Sequence, residues 1–489
     1  MSEPAAFRPF AGQRIAVVGL GKAGLPAALR LRDWGAEVVA WDDKAAARAP
    51  AEAAGLTVHD PSPGQSPGPS REAWRFDALV LSPGIPHHRP RAHPAAAAAL
   101  AAGAPVLSEI EMLYRAVRAS GSRARFVGIT GTNGKSTTTA LIHHVLLAAG
   151  KRSEVGGNLG PAALSLEMLP DDGIYTLEMS SYGLERLHSV RFNQAVMLNL
   201  TPDHLERHGD MAGYAAAKRQ VFARQQPEDL AVVGIDDAPS RAMLAALRTA
   251  PARLLAVSGA AAAQAGEQAA IWAEGGVLRD AAGPILDLAT ARALPGAHNA
   301  QNAAAAAAVA LDLGVPRDVL AEALRTYPGL PHRLERVGES DGVLFVNDSK
   351  ATNADSTERA LLSFERVVLI AGGVPKAGGI APLAPLFGRI AQAFLIGECA
   401  EEFAGVLTAH GVPNAVAGTL EAAVPAAAAA ARAGAAPVVL LSPACASWDQ
   451  FTGFDARGDR FRELVRAQSA TRRPGIHDHP GHAPAGEKR

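Results

Sequence analysis

The sequence predicts an α/β protein in three domains, residues 1–120, 121–329 and 330–470, followed by a tail at 471–489. Three observations lead there. Short apolar segments recur along the chain, and each runs into a glycine-rich or polar turn and then a stretch that suits a helix. The length, 489 residues, exceeds what one hydrophobic core holds and suits about three domains at ~150 residues each. The polar clusters fall at the C-terminal ends of the predicted strands, where open α/β sheets bind ligands.

The first domain opens with a strand at residues 14–18, the turn Gly19-Leu20-Gly21-Lys22-Ala23-Gly24, a helix to about residue 34 and a strand at 37–41 that ends on Asp42-Asp43. This is the GxGxxG fingerprint of a Rossmann-like domain with an acid about 20 residues on. Its glycines specify only a backbone nest for a pyrophosphate, which NAD and a UDP-sugar both carry. Residues 61–70 are rich in Pro, Gly and Ser and read as a surface loop. A strand at 78–81 leads to Ser82-Pro83-Gly84-Ile85, which suits either a phosphate or sugar contact or a plain turn. A helix at 108–119 closes the domain.

The central domain begins with Phe126-Val127-Gly128-Ile129-Thr130-Gly131-Thr132-Asn133-Gly134-Lys135-Ser136-Thr137-Thr138-Thr139. Strand, glycine-rich turn and helix follow in the order a triphosphate needs. Backbone N–H groups and the positive end of the helix dipole face one anion. Lys135 adds a charge for the β- and γ-phosphates, and Ser136 offers a hydroxyl to Mg²⁺. The common P-loop has a glycine where Ile129 stands. Gly156-Gly157-Asn158-Leu159-Gly160 is a second glycine-rich turn, and a strand at 173–179 carries Glu178 near its end, where an acid suits Mg²⁺. A strand at 195–200 leads into Thr201-Pro202-Asp203-His204. His204 and His208 are four apart, but the acid between them is at the wrong offset for an HExxH zinc site. A helix at 211–224 puts Tyr214, Lys218, Val221 and Phe222 on one face, where a lysine ordinarily snorkels. Residues 259–266 read as a low-complexity loop. A long Ala-rich helix starts at Leu294-Pro295-Gly296-Ala297-His298-Asn299-Ala300-Gln301-Asn302; Asn299 and Asn302 share a face, which suits either an adenine edge or solvent.

The third domain opens at Pro331-His332-Arg333 and continues with strands at 343–346, 366–371, 393–396 and 438–441. Their ends carry Asp348-Ser349-Lys350-Ala351-Thr352-Asn353, then Gly372-Gly373-Val374-Pro375-Lys376, then Ser442-Pro443-Ala444-Cys445-Ala446-Ser447-Trp448-Asp449-Gln450-Phe451, with Phe454 and Arg457 following. The Pro/His/Gly-rich tail from about residue 470 reads as disordered.

A net charge of −1 gives no footprint for nucleic acid or an anionic membrane. Two cysteines, Cys399 and Cys445, are too few for a disulfide framework and suit a reducing compartment. Residues 1–10 lack a leader pattern, and the Ala runs are helix formers too weakly apolar to span a bilayer. The chain reads as a soluble, cytoplasmic, monomeric protein. Three α/β domains with a phosphate loop suit a nucleotide-driven ligase or kinase that closes on its substrates.

Gly131 to Ser136 resembles the P-loop variant of the Mur ligases and folylpolyglutamate synthetases, and the Asp348–Asn353 and Ser442–Phe451 stretches resemble the Mur ligases that use D-glutamate. Asn199-Leu200-Thr201-Pro202-Asp203-His204 and Pro331-His332-Arg333 agree. The resemblance spans roughly residues 12–468. It implies a Rossmann-like first domain, a P-loop ATPase-like central domain and a Rossmann-like third domain. It also implies ATP-dependent addition of D-glutamate to UDP-N-acetylmuramoyl-L-alanine through an acyl phosphate, in peptidoglycan precursor synthesis. By that resemblance Gly131, Thr132, Asn133, Gly134, Lys135, Ser136, Thr137 and Thr138 bind ATP, with Asn299 and Asn302 at adenine, Arg333 at the γ-phosphate and Asp348 at the ribose. Ser136 and Glu178 hold one Mg²⁺, and His204 with Lys218 holds a second. The lysine matching Lys218 is carbamylated by CO₂, and Lys350 steadies developing charge. Lys22, Ala23, Asp43, Lys44, Ser82, Pro83, Gly84, Asn158 and His204 face the UDP-substrate. Thr352, Lys376, Ser447 and Phe454 face D-glutamate. Two places depart from many relatives: Gly183 stands where Gln is common, and Val374-Pro375 and Gly378-Gly379 replace an acidic, glycine-rich loop. The competing readings are a relative that adds L-alanine or a diamino acid, an NAD(P)-binding oxidoreductase and a non-catalytic scaffold. An amino-acid panel separates the first, and NADH against UDP-sugar binding the second. The full set of polar strand ends argues against the third.

Overall fold

A computed structural model describes residues 7–62, 74–376 and 378–470. Most of the Pro/Gly/Ser-rich loop and all of the tail at 471–489 lie outside them. The chain divides into two compact units, Met1–Pro328 and Gly329–Arg489.

The first unit holds two large sheets. One is five-stranded and parallel, in the order Thr57–Val58, Glu37–Trp41, Arg14–Val18, Ala78–Leu81, Val106–Leu107. The order reverses between Arg14–Val18 and Ala78–Leu81, so a ligand crevice opens beyond Val18 and Leu81. The two turns singled out in the sequence, after Val18 and after Leu81, are the ones that line it.

The other sheet has nine strands. Its parallel body runs Ile271–Glu274, Arg253–Ser258, Leu230–Gly234, Gln194–Met197, Arg125–Thr130, Ile174–Glu178, Ser153–Gly157. Helices cover both faces, which is why its strands are almost continuously apolar. Along the central strand Phe126 enters one core, and Val127 and Ile129 the other, at the strand period of two. An antiparallel extension, Ile271–Glu274 with Val277–Asp280 and Gly283–Asp287, completes this sheet. Two expected elements end early. The strand at 195–200 stops at Met197, and the helix at 211–224 is α-helical only over Met211–Arg219 before tightening to 3₁₀ at Gln220–Phe222. The loop at 259–266 contributes Ala263–Gln264 to a two-residue hairpin.

Buried carboxylates and arginines bind the two sheets into one unit. From helix Glu109–Ala119, Glu109 accepts the N–H groups of Ala163 and Leu164 at 2.9 and 3.2 Å. Glu111, fully buried, accepts from His188 N–H, Ser189 N–H and the Ser189 hydroxyl at 2.8, 3.0 and 2.6 Å. Burial pushes the Glu111 carboxyl up, but the hydroxyl of Ser189, these N–H groups and Arg115 together hold it below its ordinary value. A carboxyl lowered on folding stabilises above its unfolded pKa and loses that contribution as pH falls through the folded one. Glu111→Gln is therefore expected to lower unfolding free energy at pH 7 by about 3 kcal/mol. Urea titrations at pH 7 and pH 4 check this, because the gap between mutant and parent must shrink at the lower pH.

The second unit is a six-stranded sheet in the order Glu335–Ser340, Val343–Asn347, Val438–Leu441, Val367–Gly372, Ile390–Ile396, Asn414–Gly418, antiparallel only at its first pair. Apolar clusters lie on both of its faces. The polar segments after Asn347, Leu441 and Gly372 leave three adjacent strands.

Candidate active site

The phosphate loop turns on two glycines with positive φ. Gly131 is at +147° and Gly134, the N-cap of helix Lys135–Ala148, at +81°. Its backbone is gripped by a residue the sequence reading named only as part of a motif. Asn199 accepts Asn133 N–H at 2.8 Å and returns a bond to the Asn133 carbonyl at 3.2 Å. Because the preceding strand ends at Met197, Asn199 is free to turn onto the loop. Asn199 also donates to Gln301 at 3.2 Å, and Gln301 to Asp236 at 2.8 Å. These amides tie the loop to helix Ala297–Asp312.

Lys135 folds back onto the carbonyls of Gly131 and Thr132, at 2.9 and 2.7 Å. Lys218, 1% exposed, reaches the same Gly131 carbonyl at 2.7 Å and lies 4.7 Å from the centre of the Tyr214 ring. So Lys218 does not snorkel: its amine ends inside the site. Burial, with the Lys135 charge beside it, pushes its pKa well below the ordinary lysine value, against the pull of Asp203 and Glu178.

Asn158 orients Glu178. Its amide donates to Glu178 Oε1 at 2.9 Å and its N–H to the Glu178 carbonyl at 3.0 Å. Glu178 Oε2 is buried with no hydrogen-bond partner. A buried carboxylate oxygen left over beside the phosphate loop, with Ser136 at the start of the helix, is a donor set that fits Mg²⁺, which takes few protein oxygens and fills its shell from phosphate and water. Among the described residues no group of three or more His, Cys, Asp or Glu is placed to hold a metal ion. His204 is half-exposed, with φ at +52° and its Nε2 3.5 Å from Asp203. His208 faces Ser181 at 2.9 Å and Glu185 at 3.2 Å.

Two adjoining cavities collect these groups. One, of about 310 Å³, is lined by Pro83, Gly84, Lys135, Asn158, His204 and Lys218 among others. The other, of about 420 Å³, is lined by Lys22, Ala23, Ser82, Pro83, Asn158 and Glu178 among others. Pro83, Asn158 and Ser180 line both, so the crevice of the first sheet opens into the phosphate site. Ser82 donates to the Gly19 carbonyl at 2.7 Å, and a Cβ on Gly24 would lie 1.7 Å from that same carbonyl.

Some expected residues stand elsewhere. Asp43 is bonded to the Trp41 indole at 3.2 Å and does not line the crevice, nor does Lys44, the N-cap of helix Ala45–Ala53. Asp42 lines it, and accepts the N–H groups of Leu20 and Lys44 at 2.7 and 2.9 Å. Asn299 and Asn302 share a face as their spacing requires, but both are buried. Asn302 donates to Asn299 at 3.0 Å and Asn299 to the Pro295 carbonyl at 2.7 Å. In this arrangement Asn302 packs against Gly134.

In the second unit Asp348 is buried, accepting the Ser442 hydroxyl at 2.8 Å and Leu334 N–H at 3.2 Å, and burial raises its carboxyl to about 7. Lys350 Nζ lies 3.7 Å from the centre of the Phe454 ring. The Phe454 carbonyl accepts from Ser349 at 2.7 Å, and buried Arg457 joins Ser349 to the Cys445 carbonyl at 3.0 Å each. Ser447 is buried, Thr352 half-buried, and Arg333 and Lys376 are exposed.

Residues 129–310 match the Mur ligase middle domain and residues 332–445 the Mur ligase, glutamate ligase domain. The UDP-N-acetylmuramoylalanine--D-glutamate ligase of Paramagnetospirillum magneticum is 50% identical over 458 residues, 93% of this chain and 97% of that one. The protein of the same name from Rhodospirillum rubrum is 48% identical over 95% of this chain and 96% of that one. The crystal structure of UDP-N-acetylmuramate-alanine ligase from Thermotoga maritima superposes with a TM-score of 0.57 at 19% identity, covering 94% of this chain and 100% of that one. That likeness concerns the fold.

Proposed function

The chain belongs to the Mur ligase family, and on that premise we propose how its residues carry out the reaction. It is an ATP-dependent ligase that adds D-glutamate to UDP-N-acetylmuramoyl-L-alanine in peptidoglycan synthesis, and its family works with ATP and Mg²⁺. The observation that carries the reading is the pair of adjoining cavities. A sugar-diphosphate held by Lys22, Ala23, Ser82, Pro83 and Gly84 extends past Asn158 and His204 to bring a carboxylate beside Lys135.

The alanyl carboxylate oxygen attacks the γ-phosphorus of ATP. The bond to the β,γ-bridging oxygen breaks, ADP leaves, and an acyl phosphate forms. The D-glutamate amine attacks the acyl carbon, loses a proton, and phosphate departs with the former carboxylate oxygen. Positioning and charge neutralisation are most of what such a transfer asks of a protein. The loop N–H groups from Gly131 to Thr138 cradle the triphosphate, and Lys135 exchanges the loop carbonyls for the β- and γ-oxygens. Ser136 and Glu178 would hold one Mg²⁺ and His204 with Lys218 a second, and bound ions would supply charge neutralisation at the phosphates. A neutral Lys218 amine would add CO₂ and release a proton to water, giving a carbamate anion whose oxygens could serve as ligands. Asn299 and Asn302 serve the adenine, Asp348 the ribose, and Arg333 and Lys350 the charge that develops on the transferred group. Thr352, Lys376, Ser447 and Phe454 take the D-glutamate carboxylates, with Asp43 and Lys44 on the nucleoside side of the UDP. No helix among the described residues is long and apolar enough to cross a membrane, and we place the reaction in the cytoplasm, by a monomer.

Phosphate release measured with UDP-N-acetylmuramoyl-L-alanine, D-glutamate, ATP and Mg²⁺, each omitted in turn, tests the reading. Release must need all four. Turnover with L-alanine or meso-diaminopimelate but not with D-glutamate would overturn it.

A further inference from the structure

Arg186 is 1% exposed, and among the described residues no carboxylate is within ion-pair distance of its guanidinium. Its donors go to the turn that follows Leu81. Nη1 bonds the carbonyls of Leu81 and Ser82 at 2.7 and 2.9 Å, and Nη2 bonds that of Ile85. Nε donates to His87 Nδ1 at 3.3 Å, and Arg207 approaches the same nitrogen at 3.1 Å. Two guanidiniums can share one ring nitrogen only if it is an unprotonated acceptor, so His87 is neutral here. Burial, then the charges of Arg186, His88 and Arg207, pushes its pKa down to about 3. The Arg186 carbonyl in turn accepts Ser108 N–H at 3.2 Å, and Ser108 lines the larger cavity.

A cation buried among carbonyls, with Glu185 acting on it only from beyond ion-pair distance, costs more than an apolar side chain of the same volume. The turn it clasps is the one that presents Ser82, Pro83 and Gly84 to the crevice. Arg186 itself follows the short helix Ser181–Leu184, whose Tyr182 lines the phosphate cavity and whose strand carries Glu178. The planar fork suits three carbonyls of one turn, where a lysine offers a single point. Arg207 adds a second tie to the same module, lying 4.9 Å from the centre of the Tyr182 ring.

We propose that Arg186, supported by Arg207 through His87, is a positioning residue that holds the Ser82–Ile85 turn in register with the phosphate site and so governs affinity for the sugar-diphosphate substrate. The proposal rests on the reading of that crevice as the UDP-substrate side. It is not a catalytic role, since Arg186 lines neither the crevice nor the phosphate cavity.

Steady-state kinetics of Arg186→Met, Arg186→Lys and His87→Ala against the parent test it, with each substrate varied in turn. KM for UDP-N-acetylmuramoyl-L-alanine is expected to rise about tenfold or more in Arg186→Met. The KM values for ATP and D-glutamate and kcat should stay within about twofold. Arg186→Lys should recover part of the loss. His87→Ala, which keeps both arginines and most of the packing, should raise the same KM alone by a smaller factor, and it carries the test if the methionine variant does not fold. A thermal shift with all three KM values unchanged, or all three raised together, would reduce Arg186 to a structural residue and overturn the proposal. A parent enzyme inert toward UDP-N-acetylmuramoyl-L-alanine would overturn the ligase reading itself, and this role with it.

Discussion

Lys218→Ala is expected to lose roughly three orders of magnitude in turnover, and short-chain carboxylates added to the assay are expected to restore part of it. The expectation follows from where the amine ends. Lys218 and Lys135 share the Gly131 carbonyl, at 2.7 and 2.9 Å. Two ammonium groups there repel each other, and burial together with the Lys135 charge pushes the Lys218 pKa down. A lowered pKa raises the share of neutral amine, the form that reacts with CO₂. A carbamate there would carry negative charge beside Lys135, which would reverse the electrostatic conflict. Alanine leaves a space that a small carboxylate can enter to supply the same oxygens. Lys218→Arg fills the space with a permanent cation, and should be neither active nor rescued. Full activity of Lys218→Ala without any additive would discard the carbamate.

Gly134→Ala is the second large effect. Gly134 sits at φ +81°, and a Cβ there would lie 2.2 Å from Asn302 Oδ1 and 3.1 Å from Leu198 Cδ1. The left-handed conformation costs a non-glycine residue about 1–2 kcal/mol, and the contact displaces either Asn302 or the loop. KM for ATP should rise by about two orders of magnitude, while calorimetry should find UDP binding unaltered. Gly21→Ala is the matched control. It too lies in a glycine motif, but a Cβ at Gly21 meets no protein atom within 4 Å and faces the other cavity, so its effect on KM for ATP should be small. Equal losses in the two variants would mean that the motif glycines matter for some reason other than space and φ.

Much of this site could be read from local spacing. A strand, two glycines, Lys135 and Ser136 define a phosphate loop by themselves, because every part lies within one turn of chain. GxGxxG likewise defines a crevice, but spacing alone does not say which of the two neighbouring acids lines it. Asp42 lines the crevice and caps Leu20, while Asp43 turns to Trp41. A one-residue choice at a strand end depends on which face the strand presents, and that is set by its partners. Asn199, Gln301 and Arg186 were not legible as site residues for a related reason. Asn199 acts 66 positions from Asn133, and Arg186 acts 105 and 104 positions from Leu81 and Ser82, so no periodicity links them. Lys218 looked like a snorkelling lysine because the helix pattern fixes its face but not the depth of the cavity beneath. The strands at 271–287 escape a reading by period because each is only four or five residues long, Ile271–Glu274, Val277–Asp280 and Gly283–Asp287. They are strands because Arg253–Ser258 offers a free edge.

The central claim is that the loop energises the carboxylate of the sugar-nucleotide. UDP-N-acetylmuramoyl-L-alanine labelled with ¹⁸O in the alanyl carboxylate tests it most directly, with mass spectrometry of the phosphate formed in the presence of ATP and D-glutamate. One labelled oxygen per released phosphate is the expected result, since the acyl phosphate passes that atom to phosphorus. Unlabelled phosphate alongside amide product would mean that the carboxylate never attacked ATP.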